Sequence, residues 1–368
     1  SVTGVQTCAL PIFGVFVFAR YSSGKRKIYN LRYKYGCVFN VHTIRSSRYI
    51  IFMIPERYKI KTSVKHPTSL LIGGLTRLGV EIADSLIEQG GYVIIIDTYS
   101  ENNIKALDVL GKNALVSFAD YTSLPHLEEE LRRLDYVFYF IKEGISPTDK
   151  ISTQQFLNFS NYLDASLSLA SKFDAKFLLS TSIKANQQIF LSSELGLNYG
   201  TNNKKNHAVY TEMELQRYAE SLVMEYNEKV ELDTRIVRIG EIIGDALDFS
   251  NISTFSELVL MAAAGQPIAL KKDGLESEWL VHFLDAAYGI VKAQFSKNTS
   301  GKIYSICYEN SITHLGIAYK IQEVEDGNQE ITFVSEKDSL PSLKLYKPAP
   351  NLSTIGWMPR VQIGRAHV

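Results

Sequence analysis

Hydrophobic positions along the chain fall into two rhythms, short apolar runs and apolar residues spaced at about one helical turn. Ser69 to Ile72 is an apolar run that stops at Gly73-Gly74, as a buried strand of a parallel sheet does. Beyond that turn Leu78, Ile82 and Leu86 recur at every fourth position with Glu81, Asp84 and Glu88 between them, a spacing that predicts an amphipathic helix packed on a sheet. Gly90-Gly91 closes the helix, and Tyr92 to Ile96 forms the next strand. Farther on, Leu222 and Tyr226 keep one helical stripe. Leu280, Val281 and Phe283 read as a strand, and Ile303 to Ile306 as another that leads into Cys307. The run Glu128-Glu129-Glu130 followed by Arg132-Arg133 predicts a solvated helix face with i,i+4 pairs.

The strand, turn, helix and strand between Ser69 and Asp97 make a unit suited to a dinucleotide. A helix N-terminus offers unpaired N–H groups and a positive dipole end to a pyrophosphate. The candidate cradle is Gly73, Gly74, Thr76, Arg77, Leu78 and Gly79, with Gly73 and Gly79 at the outer positions of a G-x-x-G-x-x-G pattern and Thr76 at the middle one. Asp97, which ends the second strand, would accept hydrogen bonds from the adenosine ribose and so favour NAD over NADP. The bland alternative is a buried β-α-β unit without a ligand, with Arg77 a solvated residue at the helix start.

Charge changes the picture of the termini. The 368 residues hold 39 Lys and Arg against 39 Asp and Glu, yet no acid precedes Glu56 and eight basic residues lie in 1–52. Val2 to Ile12 (VTGVQTCALPI) and Gln362 to Val368 (QIGRAHV) can be back-translated into one DNA string read in opposite directions, the mark of an adapter-flanked fragment. Residues 1–52 are therefore expected to be adapter plus non-native upstream translation, and 362–368 an adapter-derived tail; the alternative is a genuine basic extension that binds nucleic acid. The first methionine is Met53. Without the two ends, 30 bases face 39 acids, a balance with no electrostatic case for nucleic acid. Cys307 is then the lone cysteine, expected in the core, and no Cys or His spacing implies a metal. No apolar run approaches the roughly 20 residues of a membrane helix.

From Thr68 to Val361 the chain resembles the extended short-chain dehydrogenase/reductase family, the NAD-dependent epimerases and dehydratases of nucleotide sugars. IGGLTRLG looks like its TGGAGFIG turn, and FAD at Phe118 to Asp120 like the GD whose Asp meets adenine. DYVFYF resembles DVVFHL, KFLLSTS at Lys176 to Ser182 the strand that carries the catalytic Ser or Thr, and VRIGEIIG its LRLFNVYG. AGQPIALKKDGLESEWLVHFLDAAYGIVKA and LSTIGWMPR are similar to two later segments. The resemblance implies an α/β Rossmann-type fold, a doubly wound parallel sheet at 53–245 with a smaller substrate lobe at 246–361 interleaved with it. It also implies a nucleotide-sugar substrate and a homodimer paired through helices around Gln154 to Lys172 and Val209 to Tyr226, while the acidic balance, the single cysteine and the lack of a long apolar run predict a cytoplasmic chain without a membrane or nucleic-acid partner.

The family's chemistry would place Tyr210 as base and Ser182, with Thr181 next in preference, as the hydroxyl that polarises the reacting oxygen. Glu214 then occupies the position of the lysine that lowers the tyrosine pKa, and like-charge repulsion should have the opposite effect. Glu278 stands where an arginine pairs with phosphate, and His282 and Trp279 lie in the strand beside the substrate pocket. Lys142, Lys204 and Lys205 are further cations that could reach the site. Two functions follow from this pattern: an NAD-dependent nucleotide-sugar enzyme with impaired catalysis, or a non-catalytic NAD-binding or scaffolding protein of the same fold.

Overall fold

The computed structural model describes residues 64–98, 104–141, 153–184, 207–244, 254–324, 329–334, 348, 350, 352–361 and four short outlying strands. Those strands pair as two antiparallel ribbons, β1 (Tyr29–Arg32) with β2 (Val38–Val41) and β3 (Ile50–Phe52) with β17 (Ile363–Arg365). Lys142, Lys204 and Lys205 lie outside the described residues.

The first unit forms as the pattern predicts. Strand β4 (Thr68–Ile72) runs into helix α1 (Arg77–Ile87) and then into β5 (Tyr92–Ile96). Leu78, Ile82 and Leu86 are all buried on α1, whose last turn gives way at Gly90 with φ at 75°. Next come α2 (Ile104–Leu110), β6 (Val116–Ala119), the short α3 (Leu127–Glu130) and β7 (Tyr136–Phe140). The expected charged helix stops early, because Leu131 is already extended. Arg133 pairs with Asp135 at 2.8 Å and Glu128 with Lys172, so neither makes the i,i+4 contact that the spacing suggested.

Helix α4 (Thr153–Lys172), β8 (Lys176–Ser182), α5 (His207–Val230) and β9 (Thr234–Ile239) complete the crossovers. With β14 (Lys302–Ile306) they build a seven-stranded sheet in the order β14-β9-β8-β7-β4-β5-β6. Every neighbour pair is parallel. Growth from β4 runs outward through β5 and then reverses through β7, which is the Rossmann order with its crevice at the β4/β7 switch point. Because strand side chains alternate, Leu71 packs on the α1 side with Ile82, Leu86 and Phe138, while Leu70 and Ile72 face Leu163, Leu167 and Val223 of α4 and α5.

The smaller lobe has its own core. Strand β10 (Glu241–Ile243) leads to α6 (Thr254–Ala263), β11 (Ile268–Lys271), β12 (Ser277–Glu278) and β13 (Leu280–His282). Helix α7 (Phe283–Phe295) returns to the main sheet through β14, and β15 (Ile312–Thr313), α8 (His314–Val324) and β16 (Ile331–Val334) come back to the lobe. Ile243, Leu258, Ile268, Leu270, Leu280 and Ile317 fill that core. The tail segment is pinned to α7: the buried Trp357 donates from its indole to the Asp285 carbonyl at 3.2 Å, and the Asp285 carboxylate accepts from the Arg360 and Val361 N–H groups. Cys307 is buried as expected, and burial pushes its thiol up to about 12. Among the described residues no helix is long and apolar enough to cross a membrane, and no cluster could hold a metal.

Candidate functional site

The glycine turn sits at the carboxyl end of β4, and its geometry is set by backbone contact. Gly73 has φ at 71°, and a Cβ there would stand 2.6 Å from the Phe140 carbonyl oxygen. A Cβ on Gly79 would meet the Gly74 carbonyl oxygen at 2.1 Å, so the first turn of α1 can close on the loop only without a side chain. Thr76 caps α1, its hydroxyl accepting from the Gly79 N–H at 3.1 Å. The departure from glycine at this position thus takes one helix N-terminal donor for the protein's own use.

Asp97 is 1% exposed and is tied into the same turn. Its carboxylate accepts from the Leu75 N–H at 2.8 Å and from the Thr98 N–H at 2.7 Å. Leu78 is buried behind the turn. Arg77 bonds Glu81 at 3.0 Å and lies 5.0 Å over the Phe283 ring, which turns it toward α7. Asp120 caps the turn after β6, accepting from the Thr122 N–H at 2.7 Å and from the Thr122 hydroxyl, which together hold its carboxyl below the usual range.

The second group gathers where β8 and β9 end against α5. Thr181 and Ser182 are both buried. The Thr181 hydroxyl donates to Glu220 at 2.7 Å, and Glu220 is held by Arg238 of β9 through two bonds of 3.0 and 2.6 Å. The Ser182 N–H donates to the Gln216 side-chain oxygen at 2.7 Å, while the Ser182 hydroxyl accepts from the Lys184 N–H at 3.2 Å.

Glu214 lies apart from this group on the same helix. Its side chain is 47% exposed and pairs with Arg217 on the same helix; the residues turned to the end of β8 are Gln216 and Glu220. A helix turns about 100° per residue, so position 214 points about 160° away from 216 and about 120° away from 220. The side chain of Tyr210 itself lies outside the described residues. Sequence reading missed Gln216, Glu220 and Arg238; the available signal was the buried stripe Leu215, Ala219 and Val223, which frames Gln216 and Glu220 on the inner face.

At the lobe's edge Glu278 is joined to the main domain. Lys184 lies 2.6 Å from Glu241 and 3.2 Å from Glu278, and His314 lies 3.4 Å from the other Glu278 oxygen. Burial works to raise the Glu278 pKa, but the bonds from His314 and Lys184 hold it below the usual range. His282 is 1% exposed, accepts from the Leu284 N–H at 3.3 Å, and is pushed down to about 4 by burial and by Arg77 nearby. Trp279 is half-buried, and its indole N–H has no partner among the described residues. The structure thus brings Arg77 and His282 together, and separately Thr181 and Ser182 with Glu220 and Gln216.

No protein-family profile matches the chain. Its relatives include UDP-glucuronic acid decarboxylase 2 of Arabidopsis thaliana, 21% identical over 309 residues, and decarboxylase 3 of the same plant, 22% identical over 307. Each match covers 80% of this chain, and the chain spans 65% of the first relative's length and 85% of the second's. Among solved structures, UDP-glucuronic acid 4-epimerase from Bacillus cereus, in complex with UDP-glucuronic acid and NAD, superposes with a TM-score of 0.62 at 17% identity, covering 80% of this chain and 95% of its own. UDP-N-acetylglucosamine 4-epimerase from Methanobrevibacter ruminantium M1 gives 0.65 at 17% identity, with 81% and 94% covered. DesIV, a dTDP-glucose 4,6-dehydratase from Streptomyces venezuelae with NAD and TYD bound, gives 0.60 at 16% identity, with 80% and 92% covered. The chain has the fold of the extended short-chain dehydrogenases/reductases, and its relatives and structural neighbours are nucleotide-sugar decarboxylases, epimerases and dehydratases of that family.

Proposed function

We propose that the chain binds NAD at the β4–α1–β5 turn and a nucleotide sugar at the β8 and β9 ends, with hydride-transfer chemistry weakened by the loss of its cation. The observation that carries this reading is the turn itself. Gly73 and Gly79 leave no room for a Cβ, and Asp97 stands at the end of β5, so the residues present fit a dinucleotide. NAD, when bound, would supply the hydride acceptor.

The chain's own residues would then do the following. The backbone of the turn and the start of α1 hold the pyrophosphate, and Asp97 orders the loop and meets the ribose. Ser182 donates to the sugar oxygen at which charge develops. A lysine able to act beside Ser182 would have to stand on the Gln216 stripe, and an uncharged amide stands there instead. Tyr210, the expected base, precedes Gln216 by six residues on the same helix. The Glu278 carboxylate, paired with Lys184 and His314, cannot take a phosphate as an arginine would.

Calorimetric titration with NAD, then with UDP-glucuronic acid, tests the binding half; NADH formation in a single turnover tests the chemistry. Saturable binding of both is expected, with NADH forming at least about a hundredfold more slowly than with an intact base and cation. Failure to bind NAD would sink the reading. A non-catalytic NAD-binding protein of the same fold is the second reading, favoured by Gln216; any stoichiometric NADH formation removes it.

A further inference from the structure

Two neighbouring hydroxyls at the end of β8 are wired differently. A hydroxyl has one proton to donate. The Thr181 proton goes to Glu220, and Glu220 is fixed by the forked pair from Arg238, so Thr181 faces any ligand as an acceptor alone. Ser182 is the reverse case. Its oxygen already accepts from the Lys184 N–H, its peptide N–H is fixed by Gln216, and among the described residues its proton has no protein acceptor. A residue 7% exposed with an uncommitted hydroxyl donor points to a ligand oxygen, because burial without a partner is costly.

We infer that Gln216 and Glu220, one helical turn apart on α5, are the positioning residues of this centre. Glu220, with Arg238, removes Thr181 from the donors, and Gln216 aims the Ser182 peptide so that the Ser182 hydroxyl donates to an oxygen of the sugar. The inference rests on the nucleotide-sugar reading above and assigns the reacting end of that site to one hydroxyl. It also gives the amide at position 216 a task in this chain that a lysine, which has no acceptor, could not perform.

The test uses the NAD-loaded protein, with UDP-glucuronic acid and UDP as the probes. Ser182→Ala should weaken UDP-glucuronic acid about tenfold, the loss of one hydrogen bond, and leave UDP and NAD unchanged. Ser182→Thr should restore most of that affinity. Gln216→Leu should weaken the sugar nucleotide and spare UDP in the same way, which a purely structural role would not do. Thr181→Val should lower Tm while changing the sugar nucleotide's affinity by less than about threefold. Equal losses in Ser182→Ala and Thr181→Val, or a larger one in Thr181→Val, would overturn the inference. If the unmodified protein binds NAD but no sugar nucleotide, the substrate reading fails, and the wiring is then decided by Tm alone. Thr181→Val added to Glu220→Leu, which leaves no acceptor, should lower Tm no further than Glu220→Leu by itself, whereas additive shifts refute the pairing.

Discussion

The glycine turn and the α5 stripe both sit at the carboxyl ends of strands in one sheet, yet they are built by different means. At the turn, backbone touches backbone: Gly73 lies against the Phe140 carbonyl and Gly79 against that of Gly74. At α5 the work is done by side chains that cross between elements, Gln216 to Ser182 and Glu220 to Thr181 and Arg238. A site made of backbone tolerates few residue types and is recognisable as a motif. A site made of side chains can change its chemistry while the fold stays put.

The largest expected effect tests the backbone half. Gly79→Ala forces a Cβ into the Gly74 carbonyl and should cost about 4 kcal/mol or more in urea unfolding, with NAD binding lost. A cost below about 1 kcal/mol would mean that the turn yields, and the contrast between the two regions would dissolve. Next, Arg238→Ala leaves Glu220 buried without its cation and should cost about 3 kcal/mol by the same measurement. Glu220→Gln in that background should recover part of the loss.

His282, where the Arg77 end meets the lobe, supplies a pH test. Its value falls from 6.5 in the unfolded chain to about 4 in the fold, so the unfolded state binds more protons between those limits. The contribution is complete above pH 6.5 and is lost as pH falls through 4, a drop of up to about 3 kcal/mol. His282→Asn, which keeps a cap for the Leu284 N–H, should flatten that acid limb in stability measured against pH. An unchanged slope would assign the limb to other groups. The smallest effect sharpens the α5 side: Glu214→Lys should shift stability by no more than about 0.5 kcal/mol and leave NAD affinity unaltered, because its pair with Arg217 is half in solvent. A large change there would restore position 214 to the site.

Much of the fold was legible. The apolar run into Gly73, the fourfold spacing of Leu78, Ile82 and Leu86, and the strand Tyr92–Ile96 all stand where the pattern put them. The charged run after Leu127 was not, since helical spacing of Glu and Arg says nothing about Leu131 leaving the helix or about Arg133 preferring Asp135. Glu278 was read as a lost phosphate partner; that it joins Lys184 and His314 from two other elements could not be seen in its own segment.

By itself the sequence determined the alternation that makes a parallel sheet and the glycines that let α1 close on its loop, because both follow from local sterics and from the burial of neighbouring residues. Which stripe of α5 meets β8 was decided only by the tertiary structure. Gln216 and Glu220 look like surface residues in a helix whose polar side chains occur all round. They are buried because Ser182 and Thr181, more than thirty positions away, satisfy them. A buried polar residue is distinguished from an exposed one by its partner, and the partner here is brought in by the fold.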